Sequence, residues 1–597
     1  MRNRRRPLLP FPACLAVLLV ALSGWIAAQD PTSDGGPFTR DFGPSGDKPV
    51  GYRIRFDPVG GSVRSITLLD QSEPRESRHS PVAPYEIVPP EYANPAEHNN
   101  VYPALTLSSP DRELFAGLPN GLDLSTWKLV GNDERGVRFE LEVGNGLVLE
   151  RSYSWQAGRR DLLLEFAVRR TGAVDGAPDH VTLFLDGVAL AAPHSEWVLG
   201  QRPSLAVGST VSTSAGSVQT FHQVADEKGL PKDAEGHTIA VELAQRPTDG
   251  SIDFAGTANR FFGCFLYPAD DAARTALLRA AVIRHVPGVP QHGAPQMSIP
   301  LVRYTIYLPM PAAQAESRVS FRMYLGPKSY PVFDENPEYE RFDPVMKHTL
   351  DPACFCSPPG ARAIATFLLW LLGILHGLVG NWGLAIVCLT ILVRGSLVPV
   401  NFHMQKSMRA YGKRMSVLKP KIDEIQRKYK DDPKLLQQHM IAFQRENKIF
   451  PPLGGCLPMF LTIPVFIGLF TALRVSYELR QQPFVGWIDD LSRPDQLFEL
   501  GWSFLPYFNI LPVVMVGMWL LLQAGTPLPT DPQQRQMMKI MRFMPLIFGV
   551  TLYNYASGLM VYMITSSVFG IIEQRITRRV LGPMDANAAA IGATPML

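Results

Sequence analysis

The sequence predicts a multi-domain membrane protein, with an all-β sandwich domain in its front half and an α-helical transmembrane bundle of about six spans in its back half. Three observations predict it. Short segments alternating between apolar and polar residues, punctuated by Gly and Pro, fill residues 39–343. Long apolar runs follow residue 359, and one strongly basic stretch separates the first two of them from the rest. The 597-residue length exceeds one ordinary domain, and the 46% hydrophobic fraction averages two unlike halves. A formal net charge of +3 carries no sign of sequence-specific nucleic-acid readout.

Residues 1–30 join a basic head (Arg2, Arg4, Arg5, Arg6) to an apolar run over 12–28. A signal peptide cleaved near Ala27 or Ala28 fits this pattern, as does a signal anchor that remains as the first transmembrane helix; Trp25 suits the anchor. Both send the following domain across the membrane. Cys14 precedes most of the run, which argues against a lipoprotein cleavage site.

Within 39–343, Val137, Phe139, Leu141 and Val143 alternate with Arg138, Glu140 and Glu142 before Gly144-Asn145-Gly146 turns the chain into Leu147, Leu149, Arg151, Tyr153 and Trp155. That is a hairpin with one buried face. Further strands are expected at 162–168, 181–185 and 319–325, and their length and number favour a large sandwich over a small barrel. His180, His194, His222 and His237 show no metal-ligand spacing, the six cysteines are scattered, and no nucleophile motif occurs. The reading is a binding module, with no metal and no cofactor.

In the back half, residues 359–379 are expected to form an interfacial amphipathic helix, because another span here would place the most basic loop outside. Residues 381–400 form the second transmembrane helix. Residues 402–452 carry Lys406, Arg409, Lys413, Arg414, Lys419, Lys421, Arg427 and Lys428 among twelve basic residues against five acids, the mark of a cytoplasmic segment. Met408, Tyr411, Met415, Leu418, Ile422, Ile425 and Tyr429 recur at spacings of three and four, so this segment reads as a coiled-coil hairpin of two helices, kinked at Pro420 and turning at Asp431-Asp432-Pro433. Either it is a solvated hairpin with no further task, or its basic exterior docks RNA, polypeptide or anionic lipid. Transmembrane helices follow at 455–477 and 504–523, and 543–576 exceeds one span and is divided at residues 554–558 into two. A short tail, 580–597, ends the chain, with both termini on the cytoplasmic side.

Arg394 is the residue that most needs a reason. It lies ~18 Å along its helix from Trp382, past the middle of a hydrocarbon core about 30 Å thick, where a charge costs roughly 2.5–3.5 kcal/mol on insertion scales. Thr390 stands one turn earlier on the same face. The side chain either snorkels to the nearer interface or serves a function. The other apolar runs hold no acid except Glu478 and Glu573 at their ends, so an inward Arg394 lacks an obvious carboxylate partner. Pro458, Pro464, Pro512, Thr551, Thr565, Ser566 and Ser567 add helix breakers and hydroxyls, consistent with a polar recess in the membrane.

The runs GNWGLAIVCLTILVRGSLVP, LKPKI, PLGGCLPMFLTIPVFIGLF, ELRQQPFVGWIDDLS and SGLMVYMITSSVFGIIEQ resemble, in this order over about residues 380–576, the YidC/Oxa/Alb-type membrane protein insertase family. The β domain with its YLGPK exit is similar to the periplasmic domain of Gram-negative members. The resemblance implies a galactose-mutarotase-like supersandwich in the periplasm and an inner-membrane location. It also implies a hydrophilic groove whose arginine draws in the acidic or polar flank of a client transmembrane segment, without covalent chemistry. Arg394, Thr390 and Tyr562 are the implied groove residues; Met563 stands where the family carries a second tyrosine. Implied partners are client membrane proteins, the lipid bilayer, the ribosome and the Sec translocon. No Lys or Arg follows Arg579, so a ribosome contact is expected to rest on the hairpin and inner loops. Two other classes compete: a periplasmic ligand sensor that signals through a docking hairpin, and a transporter, for which the spans lack a titratable relay.

Overall fold

A computed structural model describes residues 36–43, 50–72, 83–89, 103–190 (without 135, 145 and 173–177), 204–287 (without 214–215, 225–240 and 248–249), 298–350, 360–429, 432–446 and 457–581 (without 503–504 and 525–531). The expectations for residues 1–30 and for the tail after 581 lie outside the described residues.

Gly144 and Gly146 adopt φ of +97° and +71°, a region glycine enters without a Cβ clash, and they turn strand Gly136–Gly144 back onto Leu147–Trp155. Alternation then decides the faces: Val137, Phe139, Leu141 and Val143 are buried while the intervening charges stay out. This hairpin belongs to an antiparallel nine-stranded sheet in the order Gly216–Val224, Ser204–Thr213, Gly250–Ala258, Phe262–Pro268, Glu316–Pro327, Asp161–Arg170, Leu147–Trp155, Gly136–Gly144, Lys128–Asp133. A five-stranded sheet centres on Ser298–Pro309, and a four-stranded sheet holds the first strands, Phe38–Phe42 to Pro84–Val88. The three sheets bury one apolar core, with Phe56 and Ile66 from the smallest, Phe139, Tyr153 and Phe166 from the largest, and Leu183 and Ile306 from the third.

One polar cluster is sunk beside that core. Asp161, fully buried at the start of its strand, accepts hydrogen bonds from Arg159 (2.8 Å), Arg322 (2.8 Å), Tyr267 (2.8 Å) and Tyr339 (2.7 Å). Burial opposes its charge, but the bonds from Arg159 and Tyr339 outweigh that and hold the carboxyl below its usual range.

Among the described residues, seven helices follow from residue 361 on: α1 (Ala361–Val379), α2 (Trp382–Lys428), α3 (Pro433–Glu446), α4 (Leu457–Val475), α5 (Ile510–Ala524), α6 (Pro532–Thr551) and α7 (Ser557–Leu581). Gly380, at φ +69°, ends α1, and His376 stacks on Trp382 at 4.0 Å across the turn into α2. The helix α2 is continuous for 47 residues, about 70 Å, so the expected second span and the first arm of the hairpin are one rod, with Pro399 and Pro420 both inside it. Asp432 caps α3 by accepting from the Lys434 and Leu435 N–H groups, and His439 stacks on Tyr429 at 4.1 Å.

A shorter helix stands where the sequence suggests a span over 504–523. Leu505–Phe508 pairs with Phe498–Trp502 as a small β-hairpin, and helix begins only at Ile510. Pro506 disfavours an earlier start, and the Asp495 carboxylate fixes the start by accepting from Ile510 N–H at 2.9 Å. Among the described residues, α1 and Trp382–Ser407 of α2 are long and apolar enough to cross a membrane, while Ile463–Val475, Ile510–Gln523 and Arg542–Thr551 are shorter apolar helices.

The sheet domain is fastened to the turn after α4. Arg480 and Tyr477 donate to the Ser72 carbonyl and Gln71 side chain, both at 2.6 Å, and Ser329 donates to Glu478 at 2.6 Å. The guanidinium of buried Arg260 donates to the carbonyls of Arg474 (2.6 Å) and Ser492 (3.4 Å).

Candidate functional site

Among the described residues, the helical half buries its largest apolar cluster toward one end. Ala385, Ile386 and Leu389 of α2, Leu469 and Leu473 of α4, Met515 of α5 and Leu559 to Met563 of α7 share one buried cluster with Leu368 and Leu372 of α1. Residues 484–495 close over that end. Ser557 and Gly558, at the start of α7, donate their N–H groups to the Arg493 (2.6 Å) and Leu491 (2.8 Å) carbonyls, and Leu491 is fully buried. Gly383 lies so close under Phe484 that a Cβ there would sit 2.1 Å from the ring.

Away from this closed end, the contact between α2 and α7 turns polar. Arg394, half-buried, donates through Nε to the Ser566 hydroxyl at 2.7 Å, and its Nη2 also donates to Ser566. Residues 394 and 566 are 172 apart in the chain. The same offset relates Ile386 to Gly558, where an added Cβ would sit 3.4 Å from the Ile386 side chain, closer to the closed end, and Asn401 to Glu573, which interact farther from it. A constant offset means that the two helices run parallel and in step, and residues four and seven apart keep to the shared face. Thr390 and Tyr562 form the intervening level, both buried.

The structure thus brings three of the sequence-predicted groove residues, Arg394, Thr390 and Tyr562, onto one seam. Thr390 spends its hydroxyl within its own helix, donating to the Ile386 carbonyl at 2.7 Å. The Tyr562 ring lies 6.2 Å from Phe466 of α4, and Arg394 and Ser566 are its polar surroundings. Met563 is packed in the apolar cluster. Lys406, Lys421, Arg427 and Lys428 are exposed on the distal part of α2, whereas the side chains of Arg409, Lys413, Arg414 and Lys419 lie outside the described residues.

Sequence reasoning placed Ser566 only on a general polar face and set Glu573 aside at a span's end. Neither local pattern reveals that Ser566 meets Arg394 or that Glu573 lies within electrostatic reach of it. Among the described residues no carboxylate forms an ion pair with Arg394, so a hydroxyl is its hydrogen-bond partner.

The family model described as 60Kd inner membrane protein matches residues 374–583. A protein named membrane protein insertase YidC from Neisseria meningitidis serogroup C is 39% identical over 272 residues, which are 45% of this chain and 44% of that relative. The chain therefore matches less than half the length of that relative. Its namesake from Cupriavidus taiwanensis is 30% identical over 559 residues, 92% of this chain and 85% of that protein. Among solved structures, an active YidC insertase with its first transmembrane domain resolved aligns over 94% of this chain and 98% of its own, at 16% identity and a TM-score of 0.31. By a relationship that runs through nearly its whole length, the chain belongs to the YidC family of membrane protein insertases.

Proposed function

We propose that this protein is an insertase and chaperone that moves client transmembrane segments from the cytoplasm into the bilayer along a hydrophilic groove beside the α2–α7 seam. One observation carries the reading: Arg394 is half-buried in an otherwise apolar bundle, holds a hydroxyl and forms no ion pair with a carboxylate among the described residues. A cation kept in such a place at a cost of a few kcal/mol gains most from an anionic or polar visitor. The acidic flank of an entering client is that visitor, and its hydrophobic segment then leaves sideways into lipid. Burying about 20 apolar residues in the bilayer is favourable by itself, so no nucleotide and no covalent step is needed.

In this reading the end closed by residues 484–495 faces the periplasm, where the sheet domain folds as a supersandwich that binds rather than catalyses. The basic continuation of α2 with α3 projects into the cytoplasm as the hairpin that docks ribosomes or emerging chains, and α1 lies in the interface. The N-terminal anchor, α2, α4, α5, α6 and α7 make six spans with both termini inside. The Sec translocon is a partner for larger clients. Relatives named as insertases favour this reading over a ligand sensor or a transporter.

The test is reconstitution in liposomes with a single-span client that bears an acidic N-terminal tail, comparing the wild type with Arg394→Ala and Arg394→Lys. The expected result is protease protection of the tail by wild type and Arg394→Lys, and its loss with Arg394→Ala. Equal protection by all three refutes a role for the charge.

A further inference from the structure

The α2–α7 seam carries one charged group that the insertion reading leaves unused. Glu573 is half-buried, and its Oε1 is shut away from solvent with no hydrogen-bond donor. The Asn401 amide of α2 hydrogen-bonds to the carboxylate, which leaves Oε1 as the oxygen without a donor, and among the described residues no basic side chain forms an ion pair with it. Arg394 acts on it through its field without forming an ion pair with it. The two levels of the seam are seven residues apart on each helix, a separation of about 10 Å. A buried acceptor lacking a donor is rare and costly to leave empty, and a carboxylate oxygen is filled best by a charged donor.

We infer that Glu573 forms a second charged subsite of the groove, which takes a cationic side chain of the client about 10 Å from the acidic one held at Arg394. The inference rests on the insertion reading of the preceding section. It places the cation on the side of Arg394 that leads toward the basic extension of α2. The distance also sets the spacing. An extended client spans about 10 Å in three residues and a helical one in seven. The groove therefore reads a charge pattern, acid first and base three or seven residues later, where a lone arginine reads only the acid.

The experiment uses the full chain in liposomes of phosphatidylethanolamine and phosphatidylglycerol. Single-span clients carry one Asp in the tail and, three or seven residues later, Lys, Gln or Glu. Insertion is followed by protease protection, and contact by carbodiimide coupling of the client Lys to the protein, mapped by mass spectrometry. With wild type, the Lys client inserts about three- to tenfold faster than the Gln client, the size of a partly exposed charge-assisted contact. Coupling maps to Glu573. In Glu573→Gln, which keeps the side-chain shape, the ratio falls to about one, and in Glu573→Lys the Glu client becomes the fastest. A preference for Lys that survives Glu573→Gln overturns the inference, as does an equal fall for all clients. Arg394-dependent insertion with no preference overturns it while sparing the insertion reading. Insertion that ignores Arg394 overturns both.

Discussion

Replacing Asp161 by Asn tests whether the buried polar cluster of the sheet domain is held by charge. The substitution keeps the shape of the side chain and removes its charge. Arg159 retains Glu338 at 2.6 Å, but Arg322 loses the carboxylate to which it donates at 2.8 Å, and the Tyr267 and Tyr339 hydroxyls lose an anionic acceptor. Both arginine side chains are less than one-fifth exposed, so solvent replaces little of the lost interaction. Breaking a buried pair from one side costs about 3–5 kcal/mol; two remaining polar contacts place this case near 3, or about two decades in the opening equilibrium. Hydrogen exchange read by mass spectrometry reports it locally: peptides from Asp161–Arg170 and Glu316–Pro327 are predicted to exchange about 100-fold faster, with α5 and α7 as unchanged references. The pH dependence provides a second arm. Because the folded carboxyl titrates below its unfolded value of about 4, its contribution is present above that value and is lost as pH falls through the lower folded one. The gap between wild type and variant must therefore narrow on acidification below about pH 4. Unchanged exchange at pH 7, or a gap that widens in acid, refutes the argument.

Three further outcomes follow from the same packing. Gly383→Ala drives a Cβ into the Phe484 ring and is expected to loosen the closed end by about 1–3 kcal/mol, seen as faster proteolysis in 484–495; Phe484→Leu restores it in the double variant. Asp495→Ala removes the acceptor of Ile510 N–H and Trp487 Nε1, so α5 should fray at its start at a cost of about 1–2 kcal/mol, measured by exchange of residues 510–515. Arg260→Ala cuts the tie between the sheet domain and the Arg474 carbonyl; it should raise proteolytic cleavage between residues 327 and 361 while client insertion stays within about twofold, and a larger loss of insertion would tie the domain to the transport step.

Much of the architecture is legible because local pattern encodes it. The hairpin around Gly144 and Gly146 follows from alternation and two left-handed glycines, and the break between α6 and α7 follows from a run too long for one span that is interrupted at residues 554–558. Arg394 stands out because a charge in an apolar run needs a reason. Its partner is not legible: Ser566 is 172 residues away, and no periodicity on α2 or α7 fixes how two helices slide past each other. The same holds for Glu573, which in sequence is merely an acid at the end of an apolar stretch, and for Arg260, whose task depends on where Arg474 comes to rest. Residues 505–508 read as the beginning of a span because they are apolar. They form a strand because Asp495, ten residues upstream, selects Ile510 as the first donor of α5.

The central claim, that Arg394 works by attracting opposite charge from a client, is tested most directly by reversing both charges. Arg394→Glu in liposomes is predicted to lose insertion of a client with an Asp in its tail and to recover insertion when that Asp is replaced by Lys, with wild type showing the opposite preference. If wild type and Arg394→Glu rank the two clients in the same order, the arginine does not act through its charge and the account fails.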